Sequence, residues 1–127
     1  MHSLNFAHGD LQHDNILIDS SGDIKLIDYD NFYVPSLGKS TKQTTAGYSG
    51  YQHPIRKNIS NVISSEKDDY FAELIIYFSI KAIAEDNSLW DIAKDDDYAL
   101  LLTHEDYVDI YHSATYLKIK KMFLNES

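Results

Sequence analysis

The sequence predicts a mainly helical α+β fold built as one domain over residues 1–127. Three observations carry that prediction. Ile16-Leu17-Ile18 and Ile24-Lys25-Leu26-Ile27 flank Asp19-Ser20-Ser21-Gly22-Asp23, a strand, turn and strand whose central residues accept unusual backbone angles. From about residue 65 to 85, Phe71, Leu74, Ile75, Ile76, Tyr77, Phe78, Ile80 and Ile83 cover nearly every face of a helix, the pattern of a buried central helix. A third run, about Ala114 to Leu124, has helical spacing of Leu117, Met122 and Phe123. At 127 residues with 43% apolar side chains, the chain can bury one core and not two.

Charge and cysteine usage narrow the classes of function. Twenty acidic residues against 11 basic ones leave a net charge of -9, the wrong sign for a nucleic-acid or anionic-membrane surface. With no cysteine, disulfides and thiolate metal sites are excluded, and a reducing compartment is compatible. The N-terminus lacks the basic region and apolar run of a signal peptide. The longest apolar stretch, Leu74 to Ala84, is interrupted by Ser79 and Lys81 and is too short to span a bilayer. A soluble, cytoplasmic domain is expected.

Taken in order, residues 1–8 carry no helix start and run into His8-Gly9-Asp10, after which the hairpin begins. Residues 31–57 contain both prolines, three of the five glycines and many hydroxyls, so they read as a long functional loop. That loop holds no Asp or Glu but includes Lys39, Lys42, Arg56 and Lys57, a locally basic surface in an acidic chain. Ser65-Glu66-Lys67-Asp68 has the form of a capping box opening the central helix. Between Glu85 and Asp109, nine acids and one lysine surround Trp90, Leu100, Leu101 and Leu102, which reads as a solvated rim with a few anchors. Terminal helices are expected over 104–124, ending on Lys118, Lys120 and Lys121, whose charge suits a helix C-terminus.

Chemistry concentrates in His8-Gly9-Asp10-Leu11-Gln12-His13-Asp14-Asn15 and, after the hairpin, Asp28-Tyr29-Asp30. Folding the ribbon back brings Asn15 at its start beside Asp28 at its end, with Asp10 one loop turn before them. Asn15 and Asp28 offer hard oxygens to Mg²⁺, and Asp10 can orient or deprotonate a hydroxyl. A carboxylate base plus a metal-binding Asp and Asn are the parts that phosphoryl transfer from ATP needs.

The run His8 to Asn15 resembles the catalytic loop of protein-kinase-like phosphotransferases, and Asp28-Tyr29-Asp30 resembles their Asp-Phe-Gly motif. Gly47-Tyr48-Ser49-Gly50-Tyr51-Gln52-His53-Pro54 is similar to the segment that closes the activation loop, and Asp69-Tyr70-Phe71 to the motif opening the central helix of the C-terminal lobe. The wording looks especially like a group of bacterial kinase-like domains, and the likeness covers roughly Leu4 to Ile83. It implies a C-terminal lobe with catalytic loop 8–15, metal motif 28–30 and activation-type loop 31–57. It implies further that Asp10 is the catalytic base, that Asn15 and Asp28 ligate Mg²⁺ and hold ATP, that His8 is structural beside Asp28, and that Asp69 accepts hydrogen bonds from the catalytic-loop backbone.

Departures from the family pattern shape the expected activity. Gly9 replaces the usual Arg, as in the small-molecule kinases of the superfamily; Gln12 replaces the Lys that steadies the transferred phosphate; Asp30 replaces Gly; and Ile55 replaces Glu. No G-x-G occurs, and no strand-borne Lys precedes Asp10, so the resemblance leaves out the N-terminal nucleotide-binding lobe. The expectation is an ATP- and Mg²⁺-dependent phosphotransferase lobe with impaired turnover, acting on an unknown phosphate acceptor. The alternative is a pseudokinase-like scaffold that binds partners through the basic loop, with self-association or a separate N-lobe partner covering the exposed lobe face.

Blander readings compete with these. Asp10, Asn15 and Asp28 could be ordinary turn residues, and His8, Asp10 and His13 could form a hydrolytic metal site, which needs three or four convergent ligands and an open position. Hydroxyls between Tyr33 and Tyr51 suit a loop without any modification. Tyr98, Tyr107, Tyr111 and Tyr116 read as half-buried packing, and His104 and His112 as surface or helix-end residues.

Overall fold

The computed structural model describes residues 6–29, 32–34, 48–54, 67–93 and 95–124. Asp30, most of the basic loop with its four cations, and Ser65-Glu66 of the expected capping box lie outside the described residues. Among the described residues the architecture is α+β and mainly helical, with one two-stranded antiparallel sheet.

Strands β1 (Ile16–Ile18) and β2 (Ile24–Leu26) pair in the register Ile16 to Leu26, Leu17 to Lys25 and Ile18 to Ile24. Their turn closes through Gly22 N to Asp19 O at 3.0 Å, while the Asp19 carboxylate accepts from Ser21 N and Asp23 N at 2.9 and 3.0 Å. Those backbone donors, Asp23 first, hold the Asp19 carboxyl below its ordinary value. The ribbon is not buried: Ile18 and Ile24 face each other across the strands at 70% and 68% exposure.

Helix α1 (Tyr70–Glu85) is the longest element among the described residues. It starts later than the sequence suggests, and its N-cap residue, Asp69, makes no side-chain capping bond, because its carboxylate is turned toward residues 8 and 9. Expectation and structure also differ on burial. Ala72, Ile75, Ser79 and Ala82 form the buried stripe, while Tyr70, Leu74, Tyr77 and Ile80 are exposed, so the helix is buried along one face and not all round. An apolar side chain on the far side of a helix has nothing to pack on when no neighbouring element reaches it.

After α1 come a 3-10 turn (Asn87–Leu89), capped by the Asp86 side chain on Ser88 N, then α2 (Trp90–Ala93), α3 (His104–Val108), a second turn (Ile110–His112) and α4 (Ala114–Leu124). Thr103 and Asp106 make a reciprocal capping box that starts α3, and Ser113 Oγ donates to the same Asp106 at 2.8 Å. The core sits among Ala82, Leu89, Ala93, Leu101 and Ile119, with Phe78, Ile83, Ile92, Met122 and Phe123 packed around them.

Several sequence expectations change here. Ile119, not Leu117, is the buried residue of α4, and Leu117 points outward. Leu101 and Leu102 anchor the acidic rim as expected, but Trp90 is exposed and Leu89 takes the buried position beside it. Tyr107 and Tyr116 are half-buried, whereas Tyr98 and Tyr111 are exposed. No helix among the described residues is long and apolar enough to cross a membrane.

Residues 48–54 are fastened between the loop at residues 13–14 and the acidic rim. Tyr107 Oη donates to the Gly50 carbonyl at 2.6 Å, and Tyr51 is buried. A Cβ on Gly50 would lie 2.7 Å from Ala99 Cα and 2.8 Å from the Tyr98 carbonyl oxygen, and closer still to Ala99 Cβ. Backbone cannot retreat as a side-chain tip can. Gly50→Ala is therefore expected to destabilise the fold by about 1–3 kcal/mol, read as a lower denaturant midpoint at unchanged slope.

Candidate functional site

The site is assembled from the buried side outward. Asp69 is 2% exposed, and its two carboxylate oxygens accept from consecutive backbone donors, His8 N at 2.7 Å and Gly9 N at 2.9 Å. Two neighbouring N–H groups converge on one carboxylate here with Gly9 at φ +83°, a left-handed conformation that strains every residue with a Cβ. Gly at position 9 is thus accounted for by backbone geometry.

His8 is fully buried and links the two halves of the site. Its Nδ1 accepts from Asp10 N at 3.3 Å, which leaves Nε2 to carry the proton and donate to the Ile27 carbonyl at 2.7 Å. The Tyr29 ring covers the imidazole at a centroid distance of 5.0 Å. Ile27 is held from its other side as well, since its N–H donates to the Asn15 carbonyl at 3.0 Å. With residue 27 gripped by both Asn15 and His8, the chain leaves the ribbon at Asp28 in a left-handed conformation, φ +61°. Asp is one of the few side chains that tolerate that region, and such strain collects at functional sites.

Asn15 is buried, and its amide nitrogen donates to the Asp10 carbonyl at 2.8 Å and to Asp10 Oδ2 at 3.2 Å. That commitment of the nitrogen leaves the amide oxygen as the end suited to a cation. Asp10 sits close enough to Asp28 for the two charges to oppose each other: burial first, then the Asp28 carboxylate, push the Asp10 carboxyl above its ordinary value, while the Asn15 hydrogen bond pulls it down.

Because native Asp10 holds its proton more tightly than the unfolded chain does, the native state binds more protons between the ordinary value near 3.8 and the raised one. Stability therefore falls as pH rises through that window, and the penalty is fully present above it. Asp10→Asn is expected to raise Tm at pH 7, with the gain over wild type disappearing below the ordinary carboxylate range. A thermal melt series across acid pH reads both.

The five residues expected from the sequence are thus in one neighbourhood: Asp69 clamps 8 and 9, His8 joins that loop to residue 27, and Asp10, Asn15 and Asp28 lie at the open end of the ribbon. Other features of the site were not foreseen. Gln12, also buried, uses its side-chain oxygen to cap the turn at His13–Asn15 through Asp14 N at 2.7 Å. His13 Nδ1 meets Tyr51 Oη at 2.6 Å, and Tyr48 Oη donates to Asp14 at 3.3 Å, so the 48–51 segment packs on the loop at residues 13–14. Nothing in the spacing pairs His13 with a residue 38 positions later. A polar residue just before a short turn was the available signal for Gln12.

The hydrolytic alternative fails on this geometry. His8 spends both ring nitrogens on the backbone, and His13 faces Tyr51 and Asp14, so the pair does not converge with Asp10. Among the described residues no group of three or more His, Cys, Asp or Glu is arranged to hold a metal. The Asp10, Asn15 and Asp28 set offers two carboxylates and one amide. Its hard oxygens fit Mg²⁺, which commonly takes one or two protein carboxylates and completes its shell with water and substrate phosphates. Comparison of the chain with models of known families, with curated proteins and with solved structures finds no match.

Proposed function

We propose that this chain is the C-terminal lobe of a protein-kinase-like phosphotransferase that binds Mg²⁺ and the phosphates of ATP. The observation that carries the reading is the gathering of Asp10, Asn15 and Asp28 at one end of the ribbon, held there by His8 and the buried Asp69 clamp. Asn15, through its amide oxygen, and Asp28 would hold the ion. When bound, Mg²⁺ supplies charge neutralisation on the phosphate oxygens. Asp10 accepts the proton of an acceptor hydroxyl, and its raised proton affinity makes it a better base than a fully solvated carboxylate.

Turnover is expected to be low. Gln12 is buried and capping a turn, so no cation is presented from that position to the transferred phosphate. The same observation favours a second reading, a pseudokinase-like scaffold that engages partners without catalysis. Calorimetric titration of Mg²⁺-ATP into wild type and Asp28→Asn separates the two. Metal-dependent binding that Asp28→Asn abolishes supports the phosphotransferase reading; no binding by either protein supports the scaffold.

A further inference from the structure

The turn that carries Asn15 is held by groups that neither the ribbon nor the Asp69 clamp supplies. Within the turn, Asn15 N–H donates to the Gln12 carbonyl at 3.0 Å, and Ile16 N–H donates to the His13 carbonyl. Residue 13 is therefore tied to the first residue of β1, with Asn15 between them. A shift of His13 shifts Asn15 with it.

Four side chains join this turn to the segment at residues 48–51. Tyr51 is 2% exposed, and burial pushes its hydroxyl above the ordinary value, so Oη keeps its proton. An ionised Asp14 can only accept, so the His13 Nε2 that faces Asp14 Oδ1 at 3.3 Å carries a proton. That leaves His13 Nδ1 to accept from Tyr51 Oη at 2.6 Å. Tyr48 Oη donates to Asp14 Oδ2 at 3.3 Å, so each Asp14 oxygen has its own donor. The segment is anchored on its far side too: the Gly50 carbonyl accepts from Tyr107, and Gly50 is wedged against Ala99. The Asp14 side chain is 56% exposed, and a contact in water fixes little. The Tyr51–His13 bond is the shorter one and has a buried member, so it bears the placement of the turn.

We propose that Tyr51 and His13 are positioning residues for Asn15, the Tyr51 hydroxyl holding the turn through His13 Nδ1 so that the Asn15 amide oxygen faces the cation. This role presupposes the cation site proposed above at Asp10, Asn15 and Asp28. It makes metal binding depend on the 48–51 segment, although no side chain of that segment is among the proposed ligands.

Tyr51→Phe deletes one oxygen and keeps the ring, so packing is preserved while the bond to His13 is lost. In calorimetric titration with Mg²⁺-ATP its affinity is expected to be about 10-fold weaker than that of wild type, the lower end of what outer-shell losses cost at metal sites. His13→Leu should weaken binding alike. His13→Asn places an oxygen as many bonds from the backbone as Nδ1, so it keeps an acceptor for Tyr51 and should bind nearly as wild type does. Tyr116→Phe removes a hydroxyl from α4, outside this network, and should change nothing.

A second readout needs no metal. In the ion-free protein the Asn15 side-chain amide, bonded to the Asp10 carbonyl, should give resolved and slowly exchanging nuclear resonances in wild type and His13→Asn. In Tyr51→Phe and His13→Leu those resonances should move to the position of a solvent-exposed amide, with circular dichroism reporting a retained fold. A Tyr51→Phe variant that keeps either the wild-type affinity or the wild-type Asn15 resonances overturns the positioning role. So does a His13→Asn variant that behaves as His13→Leu does. If wild type binds no Mg²⁺-ATP, the cation site itself fails, and the Asn15 resonances alone decide whether Tyr51 places that side chain.

Discussion

Asp69→Ala is expected to lose about 2–5 kcal/mol of folding stability, because it strands the two backbone donors of His8 and Gly9 in the interior. Each buried N–H left without an acceptor costs about 1–3 kcal/mol, and these two are adjacent, so they relax together or not at all. In a domain of this size the loss corresponds to a fall in Tm on the order of 10 °C. Helix capping does not explain the effect, since Asp69 makes no capping bond to α1. Asp69→Ser separates the two roles: a serine can cap the helix but cannot bridge both donors, so it should be nearly as unstable as Asp69→Ala. Recovery of wild-type stability by Asp69→Ser would reassign the residue to the helix. Asp69→Asn keeps one acceptor and turns an amide N–H toward a backbone N–H, so it should fall between wild type and Asp69→Ala. Loss of the clamp should also loosen Asp10, which follows the clamped pair in the chain.

At Asp28, stability and binding are expected to move apart. The residue sits at φ +61°, where glycine pays no steric penalty, and its charge opposes that of Asp10. Asp28→Gly should accordingly be as stable as wild type or more so, by up to about 1 kcal/mol. The same change removes a carboxylate from the proposed cation site. Since even outer-shell losses weaken metal sites by about 10- to 100-fold, Mg²⁺-dependent ATP affinity should fall at least on the order of 100-fold. Asp28→Asn keeps a side chain that tolerates the backbone conformation and removes only the charge, so it should bind as poorly while melting no lower than wild type. A variant that binds worse while melting no lower distinguishes a functional carboxylate from a structural one. Parallel losses of stability and affinity in Asp28→Asn would point to a structural role.

Much of this geometry was legible in the sequence because local rules govern it. The hairpin follows from two apolar runs around Asp19-Ser20-Ser21-Gly22-Asp23, and closing a ribbon sets its two ends side by side whatever else the chain does. Asn15 and Ile27 are paired on that account, and Asp28 follows. The contact of Asp69 with residues 8 and 9 spans some sixty positions and was reached only through the family resemblance. Burial was harder to read. The apolar composition of α1 suggested a helix enclosed on every side, but composition does not say which neighbours arrive, and only the Ala72, Ile75, Ser79 and Ala82 stripe is covered. Leu117 and Ile119 show the same limit in α4, where both are apolar and only register against the core chooses between them. The pairings of His13 with Tyr51 and of Tyr107 with Gly50 depend on tertiary approach, which no local pattern encodes.

A paramagnetic titration tests most directly whether Asp10, Asn15 and Asp28 hold a divalent cation together. Mn²⁺ replaces Mg²⁺ at oxygen sites and broadens nuclear resonances near it. With ATP present and Mn²⁺ well below one equivalent, the backbone amides of Asp10, Asn15 and Asp28 and the Asn15 side-chain amide should broaden first, and Asp28→Asn should abolish the effect. Broadening that instead begins at the acidic run Asp95 to Asp97, with the ribbon resonances left sharp, would contradict a cation site at Asn15 and Asp28.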